Sequence, residues 1–324
     1  MAIIYLCPNS NAPAGGVRMI YRHSELLNQN GFDSSVYHPF DPEFSCSWFD
    51  HNARLCKSAT FNPQKDIIII PEAWAERFGK QCIDAGIKFG IFVQNGYYIQ
   101  PQKDSVDQSG SILRNVYASS DLFLSISEDA ASMISLTYPF VSKSKILRLL
   151  PNIEELIGKN KDWSKKEKLI TYMPRKLGDH AALVRFILEQ HLPQGWEINP
   201  IQNVSYCELA SQLSKSSVFL SFSDREGCPA PPLEAAFSGN VVVGYTGQGA
   251  KEYFFRPIFR EVNNGDFKSF VEKTLAAINE VAEGILDSAG FRNQMDSLRG
   301  FYCADNELEY VFRFAKRVGE IVSL

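Results

Sequence analysis

The feature that most restricts this chain is an alternation, kept up along most of its length, between short apolar runs and stretches of helical period. In the first half the apolar runs are "AIIYLC" (2–7), "SVYH" (35–38), "DIIIIP" (66–71), "FGIFVQN" (89–95), "DLFLSIS" (121–127) and "KILRLLP" (145–151). Between them lie segments such as "GVRMIYRHSELLNQNG" and "EAWAERFGKQCIDAG", whose apolar residues recur every three or four positions. A run such as "IIII" has no polar alternation to turn toward solvent, so both faces of the strand must be covered. Helices on both faces of a parallel sheet meet that condition.

The alternation lapses at 153–168, "IEELIGKNKDWSKKEK", and resumes with "LITYM" (169–173), a helix over 179–190, "WEINP" (196–200), a helix over 205–214, "SVFLSFS" (217–223) and "VVVGY" (241–245). Helical segments over 266–283, 285–300 and 306–322 close the chain. A length of 324 residues leaves room for two domains, each with its own core. The expected fold class is α/β: two Rossmann-like doubly wound parallel-sheet domains facing each other across a cleft. The boundaries expected are 1–152, a linker at 153–168 whose lysines read as a solvated connector, 169–305, and a helix at 306–324 that packs back on the N-terminal domain.

Composition excludes several classes. A formal net charge of -4 and a pI near 5.8 lack the basic footprint of a nucleic-acid binder. The seven cysteines, at 7, 46, 56, 82, 207, 228 and 303, form no C-x-x-C pair, and free thiols in a reducing compartment are expected. "MAIIYLCPNSNAPAGG" reads as a first strand rather than an export signal, and no apolar run approaches the length of a spanning helix. A cytoplasmic protein with at most peripheral membrane association is the expectation, and its partner a small molecule or saccharide.

Open α/β sheets bind ligands beyond the carboxyl ends of their strands. One strand-to-helix junction stands out there: "SVFLSFSDREGCPAPPLEAAFSGN", 217–240. Pro231 or Pro232 suits a first helical turn and Gly239 the position just past the last, so a short helix over 231–238 is expected. Its free N–H groups carry about half a positive charge and face the loop from Glu226 to Ala230, a place for an anion or for sugar oxygens. Glu234, in the expected first turn, and Glu226, just after the strand, can reach one ligand from two sides. Taken alone, the two acids read equally well as an exposed loop acid and a helix-start glutamate.

The longer string "EGCPAPPLEAAFSGNVVVGYTGQGAKEY" is more specific, and it resembles the donor-site signature of retaining glycosyltransferases of the GT-B architecture, family four, usually seen as E-G-x-x-x-x-P-x-E-A-x-A-x-G-x-P-V-V. Here it reads Glu226-Gly227, Pro232, Glu234-Ala235, Gly239 and Val241-Val242-Val243, with Phe237 in place of the second alanine, Asn240 at a variable position and Val241 in place of the family's proline. The resemblance implies that Glu226 lies beside the donor sugar and Glu234 on the nucleotide ribose, with the backbone of Gly227, Cys228, Pro229 and Ala230 approaching sugar or diphosphate.

It further implies a glycine turn after the first strand, supplied by Gly15 and Gly16 ahead of a helix starting near Val17. Glycines there let the backbone wrap a phosphate or sugar. A cationic pair is implied after the second domain's first strand, where "LITYMPRKLGDH" places Arg175 and Lys176; Lys176 matches the family spacing less well and reads equally as a solvated lysine. Members of the family often carry a first-domain histidine near the reacting sugar. Here "FVQNGYYIQ" puts Gln94 and Asn95 in that place, followed by Tyr97 and Tyr98, which could stack on an acceptor or simply pack. The histidines at 23, 38, 51, 180 and 191 show no metal-ligand spacing.

The activity implied is sugar transfer from a nucleotide-diphospho-sugar to a hydroxyl of a saccharide or lipid-linked saccharide, in polysaccharide or glycoconjugate synthesis. No cofactor is expected beyond the nucleotide-sugar, and no metal, because the sequence contains no D-x-D. Two other readings stay open: a catalytically inactive nucleotide-sugar or glycan-binding protein on the same fold, and a nicotinamide-dependent oxidoreductase. The latter requires a G-x-G-x-x-G after a strand, which "APAGGVRM" does not supply.

Overall fold

The computed structural model describes residues 1–58, 61–103, 105–153, 157 and 166–323. The chain divides into two compact units, Met1–Pro151 with Asp305–Leu324, and Asn152–Ala304.

Unit 1 holds a seven-stranded sheet built from β1 (Ala2–Leu6), β2 (Asp33–Tyr37), β3 (Leu55–Cys56), β4 (Ile67–Pro71), β5 (Lys88–Val93), β6 (Leu122–Ser125) and β7 (Ile146–Arg148). Its order is β3-β2-β1-β4-β5-β6-β7, and every pairing is parallel. All five residues of β4 are buried, as a strand covered on both faces requires. The crossovers carry α1 (Gly15–Gln29), α2 (Lys80–Ala85), α3 (Ser111–Ser119) and α4 (Glu128–Thr137). On one face Leu6, Ile68, Ile70, Ile91, Val93 and Phe123 pack against Cys82, Leu113, Val116, Tyr117 and Ile134. The strand order reverses between β1 and β4, and the chain therefore leaves these two neighbours toward opposite faces, opening a crevice at their carboxyl ends.

Unit 2 is built the same way on five strands: β8 (Leu169–Tyr172), β9 (Glu197–Pro200), β10 (Val218–Glu226), β11 (Val241–Gln248) and β12 (Phe259–Glu261). The order is β12-β11-β10-β8-β9, again all parallel. Its helices are α5 (Gly178–Glu189), α6 (Tyr206–Lys215), α7 (Ala230–Phe237), α8 (Phe267–Ala282) and α9 (Ala289–Phe301). Here the reversal falls between β8 and β10. The last helix, α10 (Ala304–Val322), buries Val311, Phe314, Ala315, Val318 and Ile321 on one stripe. Within unit 1 it meets Tyr5 through Phe314, and its buried Glu307 accepts from Arg22 at 3.0 Å.

The expected strands are present, with ends shifted by one to three residues. The two short edge strands β3 and β12 have no counterpart in the sequence reading, because two or three residues are too few to show a period. Residues 72–79, expected as part of one helix, form a 3-10 turn followed by a π-turn before α2 begins. Of the expected linker, 154–156 and 158–165 lie outside the described residues. Lys166 corrects the solvated-connector reading at its end: its ammonium donates to Leu213 O at 3.1 Å and to Ser216 O, closing the carboxyl end of α6. Desolvation there pulls its pKa down to about 7.

Among the described residues no helix is long and apolar enough to cross a membrane.

Asn240, which the resemblance treats as variable, is fully buried and satisfied on all sides. Its Nδ2 donates to Leu213 O and Ala235 O, both at 2.9 Å, and its Oδ1 accepts from Ser216 Oγ at 2.6 Å. One amide thus ties the end of α7 to the end of α6. Asn240→Ala removes three hydrogen bonds from the core, although Leu213 O keeps the Lys166 ammonium and Ala235 O keeps the Asn240 backbone N–H, and is expected to lower the unfolding free energy by about 1–3 kcal/mol, read from urea denaturation midpoints.

Candidate functional site

The site of unit 2 forms where β10, β11 and β8 end. β10 and β11 keep register from Val218↔Val241 to Ser223↔Thr246, slip, and rejoin at Glu226↔Gln248. The slip is a bulge, and two non-glycine residues there adopt left-handed backbone, Arg225 at φ 44 and Gln248 at φ 76. Each such residue costs about 1–3 kcal/mol, which surrounding contacts must offset. Beyond the bulge Glu226 ends β10, still paired with Gln248, and the loop Gly227–Pro229 then leads into α7.

The second wall of that loop is the segment 247–253. A Cβ on Gly249 would lie 1.9 Å from Gly227 O, so the two backbones touch and only glycine fits. Gly247, at φ 58, is hemmed in by Ser223 and Glu226. Buried Tyr253 donates its hydroxyl to Pro229 O at 2.7 Å, and Tyr302 donates to Glu252 Oε1 at 2.9 Å, fastening the loop from behind. Burial keeps the Tyr253 phenol protonated far above its ordinary range. "TGQGAKEY" therefore builds the site, a role that the sequence reading did not assign to it; two glycines on either side of a residue just after an apolar strand were the available signal.

Proline at the first positions of α7 agrees with the expected cap chemistry. The helix starts at Ala230 rather than 231, which corrects the placement of Glu234: it is the fifth residue, past the first turn, and only 9% exposed. Lys176, exposed like Arg175, is not merely solvated: it forms an ion pair with Glu226. The pair follows from topology, since β8 and β10 are neighbours and both residues sit just beyond or at the strand ends. Arg175 is exposed and makes no hydrogen bond or ion pair with the described residues. The structure therefore brings Lys176 to Glu226, and places Gly227, Cys228, Pro229 and Ala230 between Glu226 and Glu234 along one strand-to-helix turn.

In unit 1 the corresponding crevice collects Gly15, Gly16, Gln94, Asn95 and Tyr97. α1 starts at Gly15, two residues before the expected Val17, so both glycines belong to its first turn. Gly15 is open on its side-chain face. Gly16 is covered by Gln94, whose Nε2 donates to Gly16 O at 3.1 Å and whose Oε1 lies 2.0 Å from where a Cβ would stand. Asn95 is buried: its N–H donates to Glu72 Oε1 at 2.9 Å, and its Oδ1 accepts from Tyr97 N at 3.0 Å. Tyr97 donates its hydroxyl to the Asp129 carboxylate at 3.0 Å, while Tyr98 is half exposed.

Glu72 is the residue that the sequence reading missed. It follows β4 directly, is 8% exposed, and burial pushes its pKa up to about 7 against the opposing pull of backbone N–H groups from Gln94, Asn95 and itself. Its signal was an acid set immediately after "DIIIIP". Two of the histidines are interior. His23 is fully buried, with no hydrogen-bond partner among the described residues and a pKa pulled down to about 3, and His38 Nε2 shares a 2.7 Å hydrogen bond with Tyr21 OH. The seven cysteines are all free.

No protein-family model matches this chain, and no curated protein matches it in sequence. Solved structures do. Sucrose-phosphate synthase from Thermosynechococcus elongatus is similar with a TM-score of 0.68 at 11% identity, covering 99% of this chain and 99% of that one. A glycosyltransferase from Rickettsia africae is similar with a TM-score of 0.66 at 12% identity, covering 98% of each chain. HepE of Anabaena, solved in complex with UDP, gives 0.63 at 11% identity, covering 99% of this chain and 100% of that one. These likenesses establish the fold: two Rossmann-like α/β units of the GT-B type.

Glu72 has a higher pKa folded, about 7, than the ordinary 4.5, so the folded state binds more protons across that window. Stability is then greatest below about pH 4.5, falls as the pH rises, and levels off above about 7. Glu72→Gln removes the charge and keeps the shape. Its unfolding free energy relative to the parent is expected to rise by about 3 kcal/mol between pH 4.5 and 8, measured by urea denaturation across that range.

Proposed function

We propose that this chain is a metal-independent, retaining glycosyltransferase that moves a sugar from a nucleotide-diphospho-sugar to a hydroxyl of a saccharide or lipid-linked saccharide. The observation that carries the reading is the edge of unit 2, where Glu226 pairs with Lys176 at the strand-order reversal, ahead of α7 and beside exposed Arg175. Two cations, a helix N-terminus and a backbone stripped of side chains at Gly227 and Gly249 are what a diphosphate and a close-lying sugar need. A fold relative carries UDP, so uridine donors head those to test.

In this reading the donor takes over both partners of the Lys176–Glu226 ion pair. Diphosphate oxygens take Lys176 and Arg175, and sugar hydroxyls donate to Glu226. Glu234 accepts from a ribose hydroxyl, and the N–H groups at the start of α7 face the phosphates. The bond from the anomeric carbon to the phosphate oxygen breaks, and negative charge grows on that oxygen, stabilised by Arg175 and the N–H groups. The acceptor oxygen bonds to the anomeric carbon on the same face and passes its proton to the departing phosphate. That path requires no strong protein base, which agrees with Gln94 and Asn95 standing where a histidine would be. The cations Arg175 and Lys176 fill the role that a metal plays where a D-x-D is present, and the sequence has no D-x-D. Gln94, Asn95 and Tyr97 are assigned to the acceptor side. The product is expected to enter polysaccharide or glycoconjugate synthesis, in the cytoplasm or at a membrane surface.

A thermal-shift panel of UDP-, GDP-, ADP- and dTDP-sugars tests the donor site. A binder at about 100 times its dissociation constant adds roughly 2.7 kcal/mol, and a panel in which nothing shifts the midpoint ends the proposal. Glu234→Ala should weaken nucleotide and nucleotide-sugar alike; unchanged affinity contradicts the ribose role. Arg175→Ala is expected to lower kcat by roughly 100-fold, about 3 kcal/mol of transition-state stabilisation, with a smaller effect on donor affinity. Turnover should be the same with and without EDTA.

A further inference from the structure

Glu72 raises a question of cost. A buried carboxyl that ionises near neutrality lowers stability, and glutamine or an apolar residue would fill the same space without that loss. Its position supplies an answer. β4 is the neighbour of β1 across the strand-order reversal, so Glu72 sits at the crevice that also receives Gly15 and Gly16. Its Oε1 accepts the Asn95 N–H at 2.9 Å, and the turn beginning there is bonded on both flanks. Gln94 reaches back to Gly16 O beyond β1, and Tyr97 reaches forward to Asp129 at the start of α4 beyond β6. One carboxylate thus anchors a turn that spans the ends of four strands.

We propose that Glu72 is a positioning residue: by accepting the Asn95 N–H it holds the 94–97 turn, and with it Gln94 and Tyr97, in the geometry that transfer requires. The proposal rests on the transferase reading, since that reading assigns Gln94, Asn95 and Tyr97 to the acceptor side.

The charge on Glu72 then matters. The groups that face it are the backbone N–H groups of Gln94, Asn95 and Glu72 itself, and the buried Tyr117 phenol of α3, which stays neutral because burial holds its pKa well above the ordinary range. On its own segment Glu76 follows one turn later. Asp129, at the start of α4, is engaged by Tyr97. No side-chain charge contributes to the Glu72 shift, so its titration is set by burial against backbone donors. Ionised, it accepts charge-assisted hydrogen bonds, the stronger kind. Protonated, it holds the turn less firmly. Function should therefore improve with rising pH through about 7 while stability declines over the same range.

The test uses the full chain as wild type, Glu72→Gln and Glu72→Asp. Amide NMR of the 15N-labelled proteins between pH 5.5 and 8.5 should show the Asn95 N–H titrating near pH 7 in wild type and staying flat in Glu72→Gln. With UDP-glucose as probe, UDP release by wild type should climb through the same range. Glu72→Gln should lose that dependence and run about tenfold below the wild-type plateau, as expected for loss of one charge-assisted hydrogen bond. Glu72→Asp should restore part of the pH dependence. An Asn95 amide that does not titrate in wild type, or a Glu72→Gln profile that keeps the wild-type inflection, overturns the proposal. Wild type that neither binds nor cleaves UDP-glucose counts against that donor alone, and the amide titration still decides the role of Glu72.

Discussion

A parallel strand buried on both faces can offer solvent little beyond its ends, and the central strands of both sheets, β1, β4, β5 and β6 in one and β8, β10 and β11 in the other, are of that kind. That constraint governs the rest of the structure. The helices must cross over the sheet, the crossovers must begin at carboxyl ends, and where the strand order reverses the two neighbouring exits part and leave a crevice. In unit 1 the reversal is between β1 and β4, in unit 2 between β8 and β10. The polar residues that matter most, Gly16 with Gln94 and Glu72 in the first and Lys176 with Glu226 in the second, stand at those two places.

The two crevices solve different physical problems. In unit 2 the requirement is close approach, met with backbone: a bulge just before Glu226, two residues at positive φ, and Gly249 pressed against Gly227 O. Strain of that kind persists only where the surroundings enforce it, and here the hydroxyls of Tyr253 and Tyr302 fasten the loop from behind. In unit 1 the requirement is to hold a turn, met with side chains linked in series from Gly16 through Gln94, Glu72, Asn95 and Tyr97 to Asp129. The first arrangement costs backbone strain and the second costs the burial of a carboxylate. Both costs fall at the carboxyl ends of the strands.

Much of this was legible beforehand, for reasons particular to the residues. "IIII" admits no half-exposed strand, "APPLE" admits helix only if its prolines open it, and Gly239 closes the helix with positive φ. What escaped was local and short, or distant and relational. β3 and β12 are too brief for periodicity, and the π-turn at 75–79 interrupts a stretch whose apolar spacing reads as plain helix. Lys166 and Lys176 looked alike as solvated cations, yet one closes a helix end and the other pairs with Glu226.

The sequence by itself determined the α/β class, the strand-to-helix junctions and the residue types available at each, because those follow from local period, capping and backbone freedom. Only the tertiary structure decided which junctions meet. Strand order is a matter of long-range pairing that no window of sequence contains, and it is strand order that sets Lys176 on Glu226, leans Gln94 over Gly16 and buries Glu72 beneath Asn95. The stretch around Glu226 marked a candidate site; the second wall of its loop, at 247–253, came from β11 lying beside β10, which allowed two glycines to close against a loop about twenty residues earlier in the chain.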